Sequence, residues 1–254
     1  MVNIREVPFH ADGLRLAGEF YLPEAASELP GLCICHGIPA VPFNPEDRGY
    51  AELAMRFAEA GFATLLFNFR GTGLSEGNFD MRGWARDLEA ALSHLAAMNG
   101  VDASSLYVMG FSGGAATALF QAARDGRIAG VVSCASPAHF QELTADEALK
   151  GYIARWREID IIRDPSFPQD MEDWKAGFSE VAPVSHIGKI APRPVLLLHG
   201  DADEVVDVSH AHVLMDASGP NCELVVLPGA LHRLRVDERA MVLALDWLLR
   251  QRVG

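Results

Sequence analysis

The sequence predicts an α/β protein: a mostly parallel, twisted sheet with helices on both faces and a small helical insertion. Three observations carry this. Short apolar runs alternate with amphipathic helices along most of the chain. The runs are too short and too apolar for surface strands, as expected for strands buried on both sides. One segment near the middle holds helical patterns without a strand-like run.

Taken in order, residues 7–10 and 14–22 are β-like and flank the turn Ala11-Asp12-Gly13. They predict two antiparallel strands added at a sheet edge. Residues 31–36 form an apolar run ending at His36-Gly37. Residues 46–60 place Leu53, Ala54, Phe57 and Ala58 on one helical face. A second run, 63–69, precedes the helix 81–98, whose Trp84, Leu88, Ala91, Leu92 and Leu95 recur at spacings of three and four. Strand 106–111, helix 114–124 and strand 130–134 follow. After the break come strand 194–199, helix 208–217, strand 222–227 and helix 238–250.

The break, 136–190, carries one amphipathic helix over 145–157, with Leu149, Tyr152, Ile153 and Trp156 on one side. A polar-aromatic stretch with Phe167, Trp174 and Phe178 comes next. The expected organisation is a single core, 1–135 with 191–254, interrupted by a helical insertion at 136–190. The insertion's aromatics either pack it internally or line a ligand pocket.

Composition narrows the function. The 254 residues carry 21 Lys+Arg against 34 Asp+Glu, a formal charge of −13, and half are hydrophobic. That excludes a disordered chain. It argues against nucleic-acid and anionic-membrane partners. The first residues lack a basic segment followed by an apolar run, and no uninterrupted apolar stretch reaches the ~18 residues of a membrane helix. The expectation is a cytoplasmic protein with no membrane span. Cys33, Cys35, Cys134 and Cys222 show no metal-ligand spacing and read as buried free thiols.

Two stretches match G-x-S-x-G: Gly73-Leu74-Ser75-Glu76-Gly77 and Gly110-Phe111-Ser112-Gly113-Gly114. The motif does chemistry only when its serine sits on a sharp strand-to-helix turn, with the helix N-terminus at hand for developing negative charge. Ser112 directly follows one predicted strand and directly precedes a predicted helix. Ser75 is separated from its strand by Arg70-Gly71-Thr72-Gly73, and Gly77-Asn78 stands where a helix would start. Ser112 is the candidate nucleophile.

A serine needs a base, and the base an orienting carboxylate. Of the nine histidines, His10 and His94 lie away from the carboxyl edge of the sheet, and His139 and His186 lie in the insertion. His36 and His199 precede glycines in tight turns, which suits a structural role. His210 and His212 fall in a predicted helix. His232 follows the last strand directly and is the best-placed base. For the acid, Asp201, Asp203, Glu204 and Asp207 share one loop. Asp207 reads as a helix N-cap. Asp203 is the choice, with Glu204 and Asp201 as lesser options.

These residues resemble the α/β-hydrolase family, in particular small bacterial carboxylesterases and lipase-like members with a short lid, feruloyl-esterase-like ones included. The resemblance spans nearly the whole chain. It rests on His36-Gly37, on the block from Asn68 to Ser75, on Gly110 to Gly114, on His199-Gly200-Asp201-Ala202-Asp203-Glu204-Val205-Val206 and on Gly229-Ala230-Leu231-His232. It implies an α/β-hydrolase fold, a triad acid at Asp203, and a lid at 136–190. It also implies an oxyanion hole from the backbone N–H groups of Gly113 and of Ile38 or its neighbours up to Ala40. Relatives often have Asp where this chain has Asn68, and no Gly-rich run follows His36. The expected activity is cleavage of carboxylic esters with apolar or aromatic acyl groups, with Tyr152 and Trp156 contacting substrate and no metal or organic cofactor. Amide, thioester and C–C bond hydrolysis, or a non-catalytic binding role, are the alternatives on this fold. The expected partner is a small-molecule ester, and a homodimer is left open.

Overall fold

In the computed structural model, which describes residues 1–25 and 27–252, the apolar runs become one eight-stranded sheet. Its strands are β1 (Val2–Glu6), β4 (Gly18–Pro23), β5 (Leu29–Cys35), β6 (Ala63–Phe67), β7 (Val101–Phe111), β8 (Ile128–Cys134), β9 (Val195–Gly200) and β10 (Cys222–Leu227). The spatial order is β1-β4-β6-β5-β7-β8-β9-β10. Every pairing from β6 to β10 is parallel; β1 and β4 are antiparallel.

The pleat explains the unbroken apolar runs. Cys33, Cys35 and Val108 point into a core shared with α2 (Met81–Ala96) and α3 (Gly113–Ala122). Leu32, Ile34, Tyr107 and Met109 point into the opposite core, with α1 (Gly49–Glu59) and α8 (Glu238–Gln251). The central strands are covered on both faces over most of their length, so neither parity of residue can be polar there. The predicted face of α2, from Trp84 to Leu95, is buried, and Asp80 caps the helix by accepting from the N–H of Arg82 and Gly83. All four cysteines are buried and free, with Cys33 and Cys35 on one face as expected.

The N-terminus corrects the expectation. A hairpin does form, β2 (Phe9–Ala11) with β3 (Leu14–Leu16), and its turn residues Asp12 and Gly13 both have positive φ, 52° and 79°. It is a separate two-stranded ribbon, however. The strands added to the main sheet are β1 and β4. The run 14–22 is split at Ala17, whose N–H donates to Ser75 Oγ and whose carbonyl accepts from Asn68 N–H. Four of the five β1 residues are exposed, so no apolar alternation marks this strand in the sequence. β7 also starts earlier than predicted, at Val101, where Leu29 and Pro30 of β5 pair with Val101 and Asp102 before a bulge.

Between β8 and β9, residues 136–190 carry α4 (Gln141–Thr144), α5 (Asp146–Glu158) and α6 (Met171–Val181), then two short 3-10 turns. Trp156, Trp174 and Phe178 close around Phe79 of the core, and Trp174 Nε1 donates to Phe79 O at 3.2 Å. Arg82 of α2 reaches Asp173 and Glu180 of α6. Arg163 donates to the carbonyls of Gly73 and Ser75. After α6 the chain returns to β9 and then α7 (Ser209–Ala217). No helix among the described residues is long and apolar enough to cross a membrane.

Candidate active site

Ser112 stands at the junction of β7 and α3 with φ 52° and ψ −122°. A positive φ is costly for a residue with a Cβ and persists only where its surroundings enforce it. The enforcement is visible. Ser112 N–H donates to Cys134 O at 2.8 Å, and Ser112 O accepts from the N–H of Ala115 and Ala116. A Cβ on Gly110 would lie 2.5 Å from Ala115 Cα, and one on Gly114 would collide with His36 O and stand 2.7 Å from Cys35 O. The flanking glycines of the motif are thus needed by backbone contacts on both sides of the turn. The turn leaves Ser112 half-buried at the start of α3, whose first N–H groups have no partner within the helix.

The loops after β9 and β10 bring Asp203 and His232 together. His232 Nδ1 lies 2.8 Å from Asp203 Oδ2, and the Asp203 side chain is fully buried. Asp203 Oδ1 accepts the N–H of Val205 and of Val206, each at 2.9 Å. His199 Nε2, bonded to Val206 O at 2.8 Å, stands 3.4 Å from Asp203 Oδ2. Burial works to raise the Asp203 pKa. The hydrogen bonds from His199, His232, Val206 and Val205 outweigh it and hold the carboxyl well below the ordinary carboxylate range. The other acids of this loop are employed elsewhere: Asp201 accepts the N–H of Gly229 at 2.6 Å, and Asp207 that of Ser209 at 2.9 Å. Asp207 thus caps the turn leading into α7 from one residue before the helix's own N-cap, Val208. Glu204 is exposed. A Cβ on Gly200 would collide with Ala230 O, so the end of β9 and the histidine loop are in backbone contact.

Ile38 and Gly113 are neighbours. A Cβ on Gly113 would meet Ile38 Cγ1 at 2.7 Å and Ile38 N at 3.6 Å. His36 holds the Ile38 loop in place: Nδ1 lies 2.7 Å from Gly37 O, and Nε2 accepts Phe69 N–H at 3.2 Å. Burial pushes its pKa down to about 4, so the ring is neutral and structural. Arg155 of α5 donates to Ala40 O from Nε and Nη2. This tie between the insertion and the loop after β5 had no sequence signal, because it joins residues far apart in the chain.

Of the two aromatic candidates in the insertion, Trp156 is buried among Phe79, Trp174 and Phe178. Tyr152 stacks on Trp156 and is 44% exposed. It precedes Arg155 by three residues and so shares its side of α5. Ser75 is buried, with its Oγ donating to Asn68 O and accepting from Ala17 N–H. Buried Arg70 pairs with the buried Asp87 and with the half-exposed Asp12, and so anchors the Asn68 block. One group among the described residues has the composition of a metal site: His139, Glu142 and His210, with ligand atoms within 4.8 Å of one another.

Residues 50–251 match the prolyl oligopeptidase family. Over 224 residues the chain is 27% identical to an uncharacterized protein of Mycobacterium tuberculosis, covering 87% of this chain and 69% of that one. It is 26% identical to YtmA, an uncharacterized peptidase of Bacillus subtilis, covering 84% and 78% of the two chains. Among solved structures, a hypothetical protein of Pseudomonas aeruginosa superposes with a TM-score of 0.77 at 20% identity, covering 98% and 94%. Est1E of Butyrivibrio proteoclasticus, solved with ferulic acid bound, superposes with a TM-score of 0.73 at 21% identity, covering 98% and 100%. At these identities the solved structures establish the α/β-hydrolase fold.

Proposed function

Because the chain belongs to the prolyl oligopeptidase family of the α/β-hydrolases, we propose that it is a serine hydrolase that cleaves carboxylic esters of apolar or aromatic acyl groups. The observation that carries this reading is the Asp203–His232 hydrogen bond at the sheet edge where Ser112 is held at positive φ. With its Nδ1–H given to Asp203, His232 keeps a lone pair on Nε2. That nitrogen takes the Ser112 proton as Oγ attacks the ester carbonyl, then returns it to the leaving alcohol. Water, activated by the same nitrogen, clears the acyl-enzyme. Asp203 stays ionised, in keeping with its lowered pKa. The N–H groups of Gly113 and Ile38 receive the oxyanion, a contribution of about 10²–10³ in rate for each donor.

Segment 136–190 serves as the lid. Val41, Phe43, Val205 and Leu231 on loops after the strands are exposed, as is Tyr152 on the insertion. These exposed apolar side chains and the net negative charge favour a neutral, apolar substrate. The route uses no cofactor, and the four buried free thiols support a reducing, cytoplasmic setting. Peptide amides are the second reading, favoured by the family match and by the Bacillus relative's name.

The test is fluorophosphonate labelling of wild type and S112A, followed by turnover of matched esters, amides and thioesters of graded acyl length. Labelling confined to Ser112 with ester turnover supports the proposal. A folded wild type that takes no label supports a binding protein, and amide turnover exceeding ester turnover moves the assignment to a peptidase.

A further inference from the structure

His139, Glu142 and His210 meet where the chain leaves β8 for the insertion and meets α7. His139 Nδ1 is buried and has no hydrogen-bond partner. Orphaned buried polar atoms in native proteins commonly mark an ordered water or ion. Its nearest charged neighbour is the Glu142 carboxylate, with Oε2 at 3.7 Å. Two ligands held at about 2.0–2.1 Å from a tetrahedral zinc ion stand about 3.4 Å apart, so this pair already has the spacing of a chelate. The ligand atoms of all three residues lie within 4.8 Å of one another, and the two imidazole rings have centroids 4.7 Å apart.

His210 Nδ1 accepts the Ala138 N–H at 3.0 Å, so that nitrogen carries a lone pair and the ring proton sits on Nε2. Ligation through Nδ1 therefore requires this hydrogen bond to be given up, while Nε2 keeps its proton as in other metal-bound imidazoles. Two imidazoles and one carboxylate match the donor set of open zinc sites, with a fourth position for water.

We propose that His139 Nδ1, the Glu142 carboxylate and a ring nitrogen of His210 form a binding site for a zinc-class divalent cation; ligation through His210 Nδ1 would exchange the Ala138–His210 hydrogen bond for a metal bond. His139 and Glu142 belong to the insertion and His210 to α7 of the core. A bound ion would therefore staple the first turn of the insertion to the core.

The experiment uses the full chain, stripped with chelator and dialysed against zinc, with bound metal measured per chain. Cobalt is the second probe, because its visible spectrum reports tetrahedral geometry. The expected result is about one zinc per chain. H139A, E142Q and H210A should each weaken binding at least about tenfold, the low end of what losing even an outer partner costs. H232A is the control for zinc held at the triad and should leave binding unchanged. Circular dichroism and the Tm of each metal-free variant check that it folds. If H139A alone unfolds, the E142Q result decides, since Glu142 is largely exposed. The proposal is overturned if no stoichiometric zinc binds, if binding survives H139A and E142Q in folded protein, or if H232A removes it.

Discussion

Gly73-Leu74-Ser75-Glu76-Gly77 and Gly110-Phe111-Ser112-Gly113-Gly114 space their glycines identically about a serine, yet the fold uses the two serines in opposite ways. Ser75 is 1% exposed, and its hydroxyl is occupied: it donates to Asn68 O and accepts from Ala17 N–H, closing the loop over the start of the sheet. Ser112 makes its backbone hydrogen bonds through N and O and holds positive φ, so its side chain is carried outward. Ser75 is a staple. Ser112 is a strained residue held by others. The motif gives glycine spacing only. What a serine can do depends on where its hydroxyl's hydrogen bonds go and on what forces its backbone.

The contrast can be broken most directly by turnover. S112A should lose on the order of 10⁶-fold in ester kcat if Ser112, Asp203 and His232 act as a unit. S75A should keep kcat within a few-fold. Loss of labelling in S75A but not in S112A would invert the assignment.

The glycines sharpen the same point through stability. In G114A the new Cβ meets the backbone carbonyls of His36 and Cys35, which cannot move without shifting β5. An unfolding loss of about 3 kcal/mol or more is expected. In G77A the nearest atom is Leu14 Cδ1 at 2.8 Å, a side-chain end that can turn away, leaving mainly the φ of +85°. About 1–2 kcal/mol follows from that strain. Urea midpoints that rank the two the other way would show that the close approach at the elbow is not the tighter constraint.

Two further tests separate the serines' surroundings. S75A orphans the Ala17 N–H and should cost about 1–3 kcal/mol in urea unfolding. Asp203, the partner of His232, acts through charge instead. Its folded pKa is below the ordinary value of 3.8, so its contribution is complete above about pH 4 and is lost as pH falls further. Wild type should lose stability faster than D203N as pH drops below about 4, with parallel behaviour above that. Equal slopes throughout would mean the carboxylate is not the stabilised species.

Several parts of this molecule were legible in the residues. The parallel strands announced themselves because burial on both faces removes polar residues from whole runs, as at 31–36 and 194–199. The helix faces of α1 and α2 followed from spacing. Ser112 was separable from Ser75 because a strand and a helix abut it in sequence. Asp203 was preferred, but Glu204 and Asp201 stayed open, since all three share one loop. The structure shows Asp203 buried against His232, Val205 and Val206, a selection made by backbone N–H groups that no side-chain pattern encodes.

The sequence by itself therefore determined which segments are buried on both sides and which serine lies between a strand and a helix. Both are local properties, set by side-chain polarity and the period of each element. Only the tertiary structure decided that β1 joins the sheet, since its pairing is made by backbone groups with exposed side chains. The same holds for Arg155 on Ala40, for His210 on Ala138, and for Asp203 rather than its neighbours meeting His232. Each of these contacts joins residues tens of positions apart, and its geometry exists only once the sheet has brought its carboxyl-edge loops together.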